Sequence, residues 1–492
     1  MLKTKITKLN AAQWTNGLLI CTVLATSALV GLRSYQYFRP EGFFLPGWAF
    51  LLFGGLGAFS ICLLALHNIA YALTLLVCAS AVVTASISTG TQSPLNVTIV
   101  LVAGLTGVWC LRMIASDKRL WLVPSTLNGP LLGFLFITVL AWLAGYAISD
   151  WRTSFPPNAF QVQAGQFAMF ALSAAAFFLT ANHSLNKKTL IYWTWIIILL
   201  GIVAIGSDVL KIRSNPLPAV KGALQMWPFV LLLSHLLFNP DIKRKYYLLG
   251  WPILGLWAYW AFFTPTFYTK GLWVPALIAM ALLVAIRLPK LSLILGGAGV
   301  LILIGSGSIQ QTVLGEFASG VAYRPLIWQD VLQMTSSNWL LGLGPANYMY
   351  YWQSLGLDSL TLQYALENRP WMAPQWATYI VVPSHNMYVD ILAQTGVIGL
   401  LFFLAFLIVA VRFGWRLRKR FQPGFYQAHI YGVVCGFACI AIGSFWFADW
   451  LIPFVYNITI SGFRHSVYSW LLLGTLVSID YFVEDTRVEG TH

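Results

Sequence analysis

The chain has 492 residues, of which 59% are hydrophobic and 9% charged, with a mean hydropathy of +0.74 and a formal net charge of +14. A soluble domain carries roughly a quarter charged residues, so a water-soluble fold is excluded, and the lack of strict apolar/polar alternation excludes a membrane β-barrel. The positive charge belongs to membrane anchoring and not to nucleic-acid binding, because no basic tract interleaved with aromatics occurs outside short loops.

In chain order, the basic start MLKTKITKLNAAQW precedes an apolar run without a small-residue cleavage site, so it reads as an anchor and not a removed signal. Apolar windows of about 19 residues, each able to cross a core of about 30 Å, then predict about fourteen spans. They fall at 15–33, 46–66, 68–87, 96–114, 130–148, 162–181, 189–207, 222–239, 246–264, 270–287, 291–306, 387–411, 427–447 and 466–482. The expected fold class is an all-α polytopic membrane protein in three parts. Residues 1–305 form N-terminal transmembrane helices, 306–386 a large late periplasmic loop with short helices, and 387–492 C-terminal helices with a short cytoplasmic tail. The six cysteines all lie in apolar segments, so no disulfide framework is expected.

Basic residues test this topology independently. With the N-terminus inside, most of the 29 lysines and arginines fall in cytoplasmic segments, and RFGWRLRKR (412–420) is the strongest cluster. Both termini are then cytoplasmic. The outer basic residues are the exceptions: Arg33, Arg39, Arg152, Lys211, Arg213, Lys221, Lys270, Arg324, Arg369 and Arg464. Snorkelling or loop solvation accounts for a cation at any one of these positions. Lys221, Lys270 and Arg324 are singled out by their local sequence.

The large external segment is rich in Trp, Tyr, Gln, Asn and Pro. Such residues suit sugar recognition, and they equally suit a membrane-interface belt. Within it, RPLIWQDVLQM has helical spacing, with Leu326, Ile327, Val331 and Met334 on one face.

The segment ends at PSHNMYVDILAQTGVIGLLFF, where His385 stands at the outer end of an apolar helix. Leu392, Gly396 and Gly399 share nearly the same helical face as His385, and the glycines permit close approach of a neighbouring helix. His385 is therefore expected to point into the bundle. The alternative is a histidine that merely caps the helix after Pro383–Ser384.

Two helices that run inward from the outer face open with a Lys-Gly pair, Lys221–Gly222 and Lys270–Gly271. Lysine at a helix N-terminus has the wrong charge for stability, and a bound anion such as a diphosphate would compensate it. Arg324 could add a bidentate phosphate contact. A histidine beside such a pocket has a lowered pKa and a neutral ring that accepts a proton, as a general base does. No acidic pair and no histidine-rich cluster occurs outside, so neither a metal nor another cofactor is expected.

The stretch RPLIW…LLGLGPANY…SHNMYVDILAQTGVIGLLFF resembles the O-antigen ligase/polymerase superfamily of bacterial envelope biogenesis. The residues that carry the resemblance are Arg324, Trp328, Gly342, Gly344, Pro345, Asn347, His385, Asn386, Tyr388, Thr395, Gly396 and Gly399. It implies a membrane glycosyltransferase (GT-C-like) fold in the inner membrane with a periplasmic active site. It also implies a glycan donor on undecaprenyl diphosphate, metal-independent inverting transfer, and His385 as the base. Arg324 takes the role of the family's diphosphate-holding arginines. Lys270 and Lys221 stand where an Arg-Gly pair is usual, keeping the charge but losing the guanidinium fork. Trp328, Asn347, Asn386 and Tyr388 are implied to bind glycan or acceptor, or to shape the loop. Gln394 stands where the family often has Glu, which argues against an essential acid there.

The acceptor implied is another lipid-linked glycan for a polymerase or lipid A core for a ligase, with membrane lipids, a flippase and a chain-length regulator as further partners. About fourteen spans is closer to the polymerase habit. A transporter is the rival class. It would show internal repeats and midplane carboxylates, whereas no repeat is found and Asp208 and Asp449 lie near outer ends.

Overall fold

The computed structural model describes residues 56–83 (except 58, 62 and 67), 86–87, 95–147, 153, 155–210, 223–264, 270–306, 324–355, 359–368, 383–445, 451–456 and 462–483. The predicted span 15–33 lies outside these residues, and 46–66 mostly does.

Every predicted span from 68–87 onward falls on a helix. These are α1 Ile69–Val82, α2 Val97–Ala115, α3 Asn128–Ala147, α4 Ala159–Ala181, α5 Lys187–Val209, α6 Ala223–Phe238, α7 Arg244–Phe263, α8 Lys270–Arg287 and α9 Pro289–Gly305. The segment after α9 supplies α10 Arg324–Thr335, α11 Tyr348–Leu355 and α12 Leu360–Asn368. Then come α13 Met387–Leu417, α14 Phe425–Gly443 and α15 Phe463–Phe482. The strands described are two residues each, Ser86–Ile87 paired antiparallel with Leu95–Asn96. The protein is an all-α membrane protein: α2, α3, α4, α5, α13 and α14 are long and apolar enough to cross a membrane.

Asparagine starts several of these helices. Asn68, Asn96, Asn186 and Asn386 each cap a helix by accepting first-turn N–H groups, replacing partners that no earlier turn can supply. The principal packing pairs are α4 with α15, α3 with α13, and α6 with α5, α8 and α14. Large rings fill the centre. Phe134 meets Phe170 and Phe403 at centroid distances of 5.4 and 5.2 Å, and Phe406 stacks on Trp470 at 5.5 Å. At the far end of α13, the guanidinium of Arg418 lies 3.9 Å from the Trp415 ring centroid and donates to the Tyr431 hydroxyl at 3.1 Å. Arg420 pairs with Asp480.

Helices α10 and α11 have a small core of their own, with Ile327, Val331, Leu343, Tyr348 and Trp352 packed on Ala393 of α13. The buried face of α10 differs from the predicted one. Leu326 is only partly buried, while Asp330 is fully buried with Ile327, Val331 and Met334. A carboxylate can occupy that face because it has work there. Asp330 accepts from the Ser359 hydroxyl (2.9 Å), the Leu360 and Thr361 N–H groups (2.9 and 3.0 Å) and the Thr361 hydroxyl (2.5 Å). It thereby caps α12 from another helix, where negative charge meets the positive dipole end.

Candidate active site

The site is built around a break in α13. Hydropathy predicts one continuous helix, but Gly396 has φ 65° and ψ −172° and interrupts it. From Gly396 to Leu417 a helix rising ~1.5 Å per residue extends about 33 Å, enough for a bilayer core. Residues 387–395 form a separate segment at the N-terminal end of that helix.

A break exposes backbone groups that hydrocarbon cannot satisfy. The turn at residues 339–344 satisfies them. The carbonyls of Ala393 and Gln394 accept the N–H groups of Leu343 (2.7 Å) and Gly344 (3.1 Å). On the other side of the break, the N–H groups of Val397 and Ile398 donate to the carbonyls of Trp339 (3.0 Å) and Leu340 (3.3 Å).

This docking needs bare backbone on both sides. A Cβ on Gly342, itself at φ 72°, would lie 2.5 Å from the Gly396 nitrogen, and one on Gly396 would lie 2.2 Å from the Leu340 oxygen. The close approach that Gly396 permits is thus to the Leu340–Gly344 turn and not, as expected, to a neighbouring helix.

Side-chain amides complete the joint. Gln394 accepts the Ala346 N–H at 2.9 Å and donates to the Asp390 carbonyl (3.2 Å) and the Tyr456 hydroxyl (3.0 Å). A glutamate could not donate in this way, which explains an amide at this position. Asn347 is fully buried behind the turn. Its Nδ2 donates to the Leu343 carbonyl (2.7 Å), and its Oδ1 accepts from Gln163 of α4 (2.5 Å), which in turn accepts from the Trp142 indole (3.0 Å).

His385 precedes the helix. Asn386 is the N-cap, accepting from the Tyr388 and Val389 N–H groups at 3.0 and 3.2 Å, so the capping role weighed for the histidine belongs to its neighbour. His385 itself sits in the left-handed region at φ 54°, which takes it off the helical face it was predicted to share with Gly396 and Gly399. The turn is held from three sides. The Ser384 hydroxyl donates to the Asn386 carbonyl (2.9 Å) and accepts its N–H (3.0 Å). The Trp328 indole donates to the Ser384 carbonyl at 3.0 Å. The Met387 N–H reaches the Ser444 carbonyl at 3.0 Å, and the Tyr388 hydroxyl bonds to the Ala441 carbonyl, both at the end of α14.

Residues four apart lie on one side of a helix, so Arg324 lies one turn before Trp328, on the same side of α10. Its charge reaches His385. Burial first, and the Arg324 guanidinium second, push the half-buried His385 imidazole down to about 4. At neutral pH the ring is uncharged and can accept a proton.

The structure therefore brings His385, Asn386, Tyr388, Trp328 and Arg324 together. Lys270 opens α8 as predicted, and Lys221 lies outside the described residues. Sequence reasoning missed Asp390, which is fully buried on the first turns of α13. The hydroxyls of Ser384 and Tyr456 face its carboxyl without closing a full hydrogen bond. Asn386 Nδ2 and Ser444 Oγ are likewise buried with no hydrogen-bond partner in the structure. An acid five residues after His385 was the only signal in the sequence. The mouth of α13 thus gathers a neutral histidine, an arginine and several uncommitted polar atoms, a set suited to proton transfer beside an anionic, hydroxyl-rich substrate.

Together the fold and this site define a multi-pass helical membrane protein with a polar site at the mouth of a broken helix. Residues 255–404 match the O-antigen ligase family. The match runs from the middle of α7 through the Gly396 break and supports the O-antigen ligase/polymerase superfamily. No curated protein matches the chain.

Proposed function

We propose that this protein is an inner-membrane glycosyltransferase of the polymerase type. In this reading it moves a glycan from undecaprenyl diphosphate to the end of another lipid-linked glycan at the periplasmic face. The expected frame is about fourteen crossings in a GT-C-like arrangement, with both termini cytoplasmic. The observation that carries the reading is the placement of a neutral, half-buried His385 beside Arg324 within the O-antigen ligase match.

His385 removes the proton of the acceptor hydroxyl as the oxygen attacks the anomeric carbon. The bond from that carbon to the diphosphate oxygen breaks on the opposite face, inverting the centre. The diphosphate leaves carrying its charge, which Arg324 stabilises through its planar fork. Lys270 and Lys221 add charge without the fork. The donor also tunes the base. A diphosphate beside Arg324 offsets the positive charge that depresses His385, so the imidazole becomes a stronger base once the donor is bound.

Tyr388, Trp328 and Asn386 shape the turn that presents His385, and Asn347 shapes the loop behind it. The reaction needs no metal, since arginine and lysine do the work that a divalent ion does elsewhere. Purified protein should therefore keep its transfer activity in EDTA; loss of activity that added divalent ion restores would refute this part of the reading.

Transfer to lipid A core, the ligase reaction, uses the same site and differs in the acceptor. The test is the surface polysaccharide of cells lacking the protein. A single repeat unit on lipid A core identifies a polymerase. Long glycan held on the carrier lipid with bare lipid A core identifies a ligase. Normal polysaccharide with altered solute uptake would point instead to a transporter.

A further inference from the structure

At the membrane face opposite His385, a cavity of about 460 Å³ opens among the ends of several helices. Its walls include Leu236, Ile242, Arg244, Tyr247, Arg287 and Gln427. Arg244 is the first residue of α7 and Arg287 the last of α8. These two helices run antiparallel and meet at their other ends, where Phe262 packs edge-on against Trp273 with centroids 5.2 Å apart.

We propose that this cavity binds the headgroup of an anionic phospholipid. Three observations carry the assignment. First, two arginines from the ends of two helices line one space, and neither has an ion-pair partner among the described residues, where Arg420–Asp480 is the pair formed. Asp241, three residues before Arg244, forms no ion pair with either arginine.

Second, α7 begins with the run Lys243-Arg244-Lys245, and Lys243 makes no side-chain cap. Three cations at a positive dipole end call for an anion. Guanidinium forks fit phosphate oxygens.

Third, the walls are largely apolar and continue into exposed apolar surface. Leu248, Leu249 and Trp251 on α7, and Leu282 on α8, face outward beyond it. A free phosphate has no use for such walls, whereas acyl chains lying along α7 and α8 do. Gln427 Nε2 donates to the carbonyls of Arg418 and Phe421 (3.4 and 3.1 Å). Its Oε1 is then the atom able to accept a headgroup hydroxyl.

The cavity stands apart from the transfer chemistry and does not depend on it. The experiment is native mass spectrometry of the full chain in detergent, with dioleoyl phosphatidylglycerol or dioleoyl phosphatidylcholine added. The wild type should retain phosphatidylglycerol roughly tenfold more than phosphatidylcholine, given two phosphate-facing arginines. Arg244→Gln with Arg287→Gln should abolish the preference, and each single variant should lose part of it, which covers a poorly folding double variant. Lys187→Gln with Lys188→Gln, at the start of α5 and outside the cavity walls, should keep it. Equal retention of the two lipids, or equal loss in both pairs of variants, would overturn the site. Displacement of the lipid by excess inorganic phosphate would mark a soluble-phosphate site and also overturn the lipid assignment.

Discussion

Trp328 donates its indole N–H to the carbonyl of Ser384 over 3.0 Å, fastening the residue before His385 to the helix that carries Arg324. One rigid element thus sets both the proposed base and the cation beside it. Replacing Trp328 by Phe keeps a ring against Phe445, now at a centroid distance of 5.4 Å, but removes the bond. A hydrogen bond of this kind is worth about 1 kcal/mol, so transfer should slow roughly fivefold, chiefly in kcat, with the protein still folded. An unchanged kcat in steady-state assays would show that the turn holds itself.

The Gly396 break should be intolerant of any side chain. Its φ and ψ are accessible essentially to glycine alone, at a cost of about 1–3 kcal/mol for other residues, and a Cβ there would lie 2.2 Å from the Leu340 oxygen. Gly396→Ala should lower the thermal midpoint of the detergent-solubilised protein by several degrees and release the turn at residues 339–344. Gly342→Ala should do the same, because it meets the same joint from the other side. Wild-type melting curves for both would contradict the docked geometry.

The pH dependence has a definite sign. His385 titrates at about 4, below its ordinary 6.5, and must be neutral to act. Activity should be full above that value and fall as pH drops through it. Removing the Arg324 charge lets the imidazole titrate higher, so the acid limb of kcat/KM in Arg324→Gln should move upward, though not fully to 6.5 because burial remains. In the wild type, the limb in kcat should lie above the limb in kcat/KM, because bound diphosphate acts in the same direction. A downward or absent shift in Arg324→Gln would separate the two residues electrostatically. Arg324→Lys should recover part of the rate, since charge returns without the fork.

Asp330 predicts a stability effect away from the chemistry. It caps α12 with both carboxylate oxygens, and losing an N-cap costs about 1–2 kcal/mol. Asp330→Ala should expose Leu360–Asn368 to limited proteolysis several-fold faster than the wild type. Equal cleavage rates would mean that α12 stands without its cap.

Much of the fold was legible because its signal is local. Apolar windows marked every described helix from α1 to α9 and from α13 to α15, and the helical spacing of RPLIWQDVLQM marked α10. What the sequence hid is non-local. Nothing within MYVDILAQTGVIGLLFF marks Gly396 as a break rather than a helical contact. The break exists because a turn some fifty residues earlier offers its N–H and carbonyl groups in place of the helix's own. Gln163 escaped notice for the same reason, since its partner Asn347 comes from a distant segment. Asp390 stands in the first turn of a helix, where an acid is common, and only its complete burial beside Ser384 and Tyr456 sets it apart.

The most direct test places one histidine against one phenotype. A strain lacking the chromosomal copy would be complemented with wild type or His385→Asn, and its surface polysaccharide resolved on a gel. Asparagine tolerates the left-handed backbone at this position, so the variant should reach the membrane in normal amount. The account predicts that His385→Asn reproduces the deletion pattern, with single repeat units on lipid A core where wild type gives long chains. A normal ladder from His385→Asn would remove the general base from His385 and contradict the central claim.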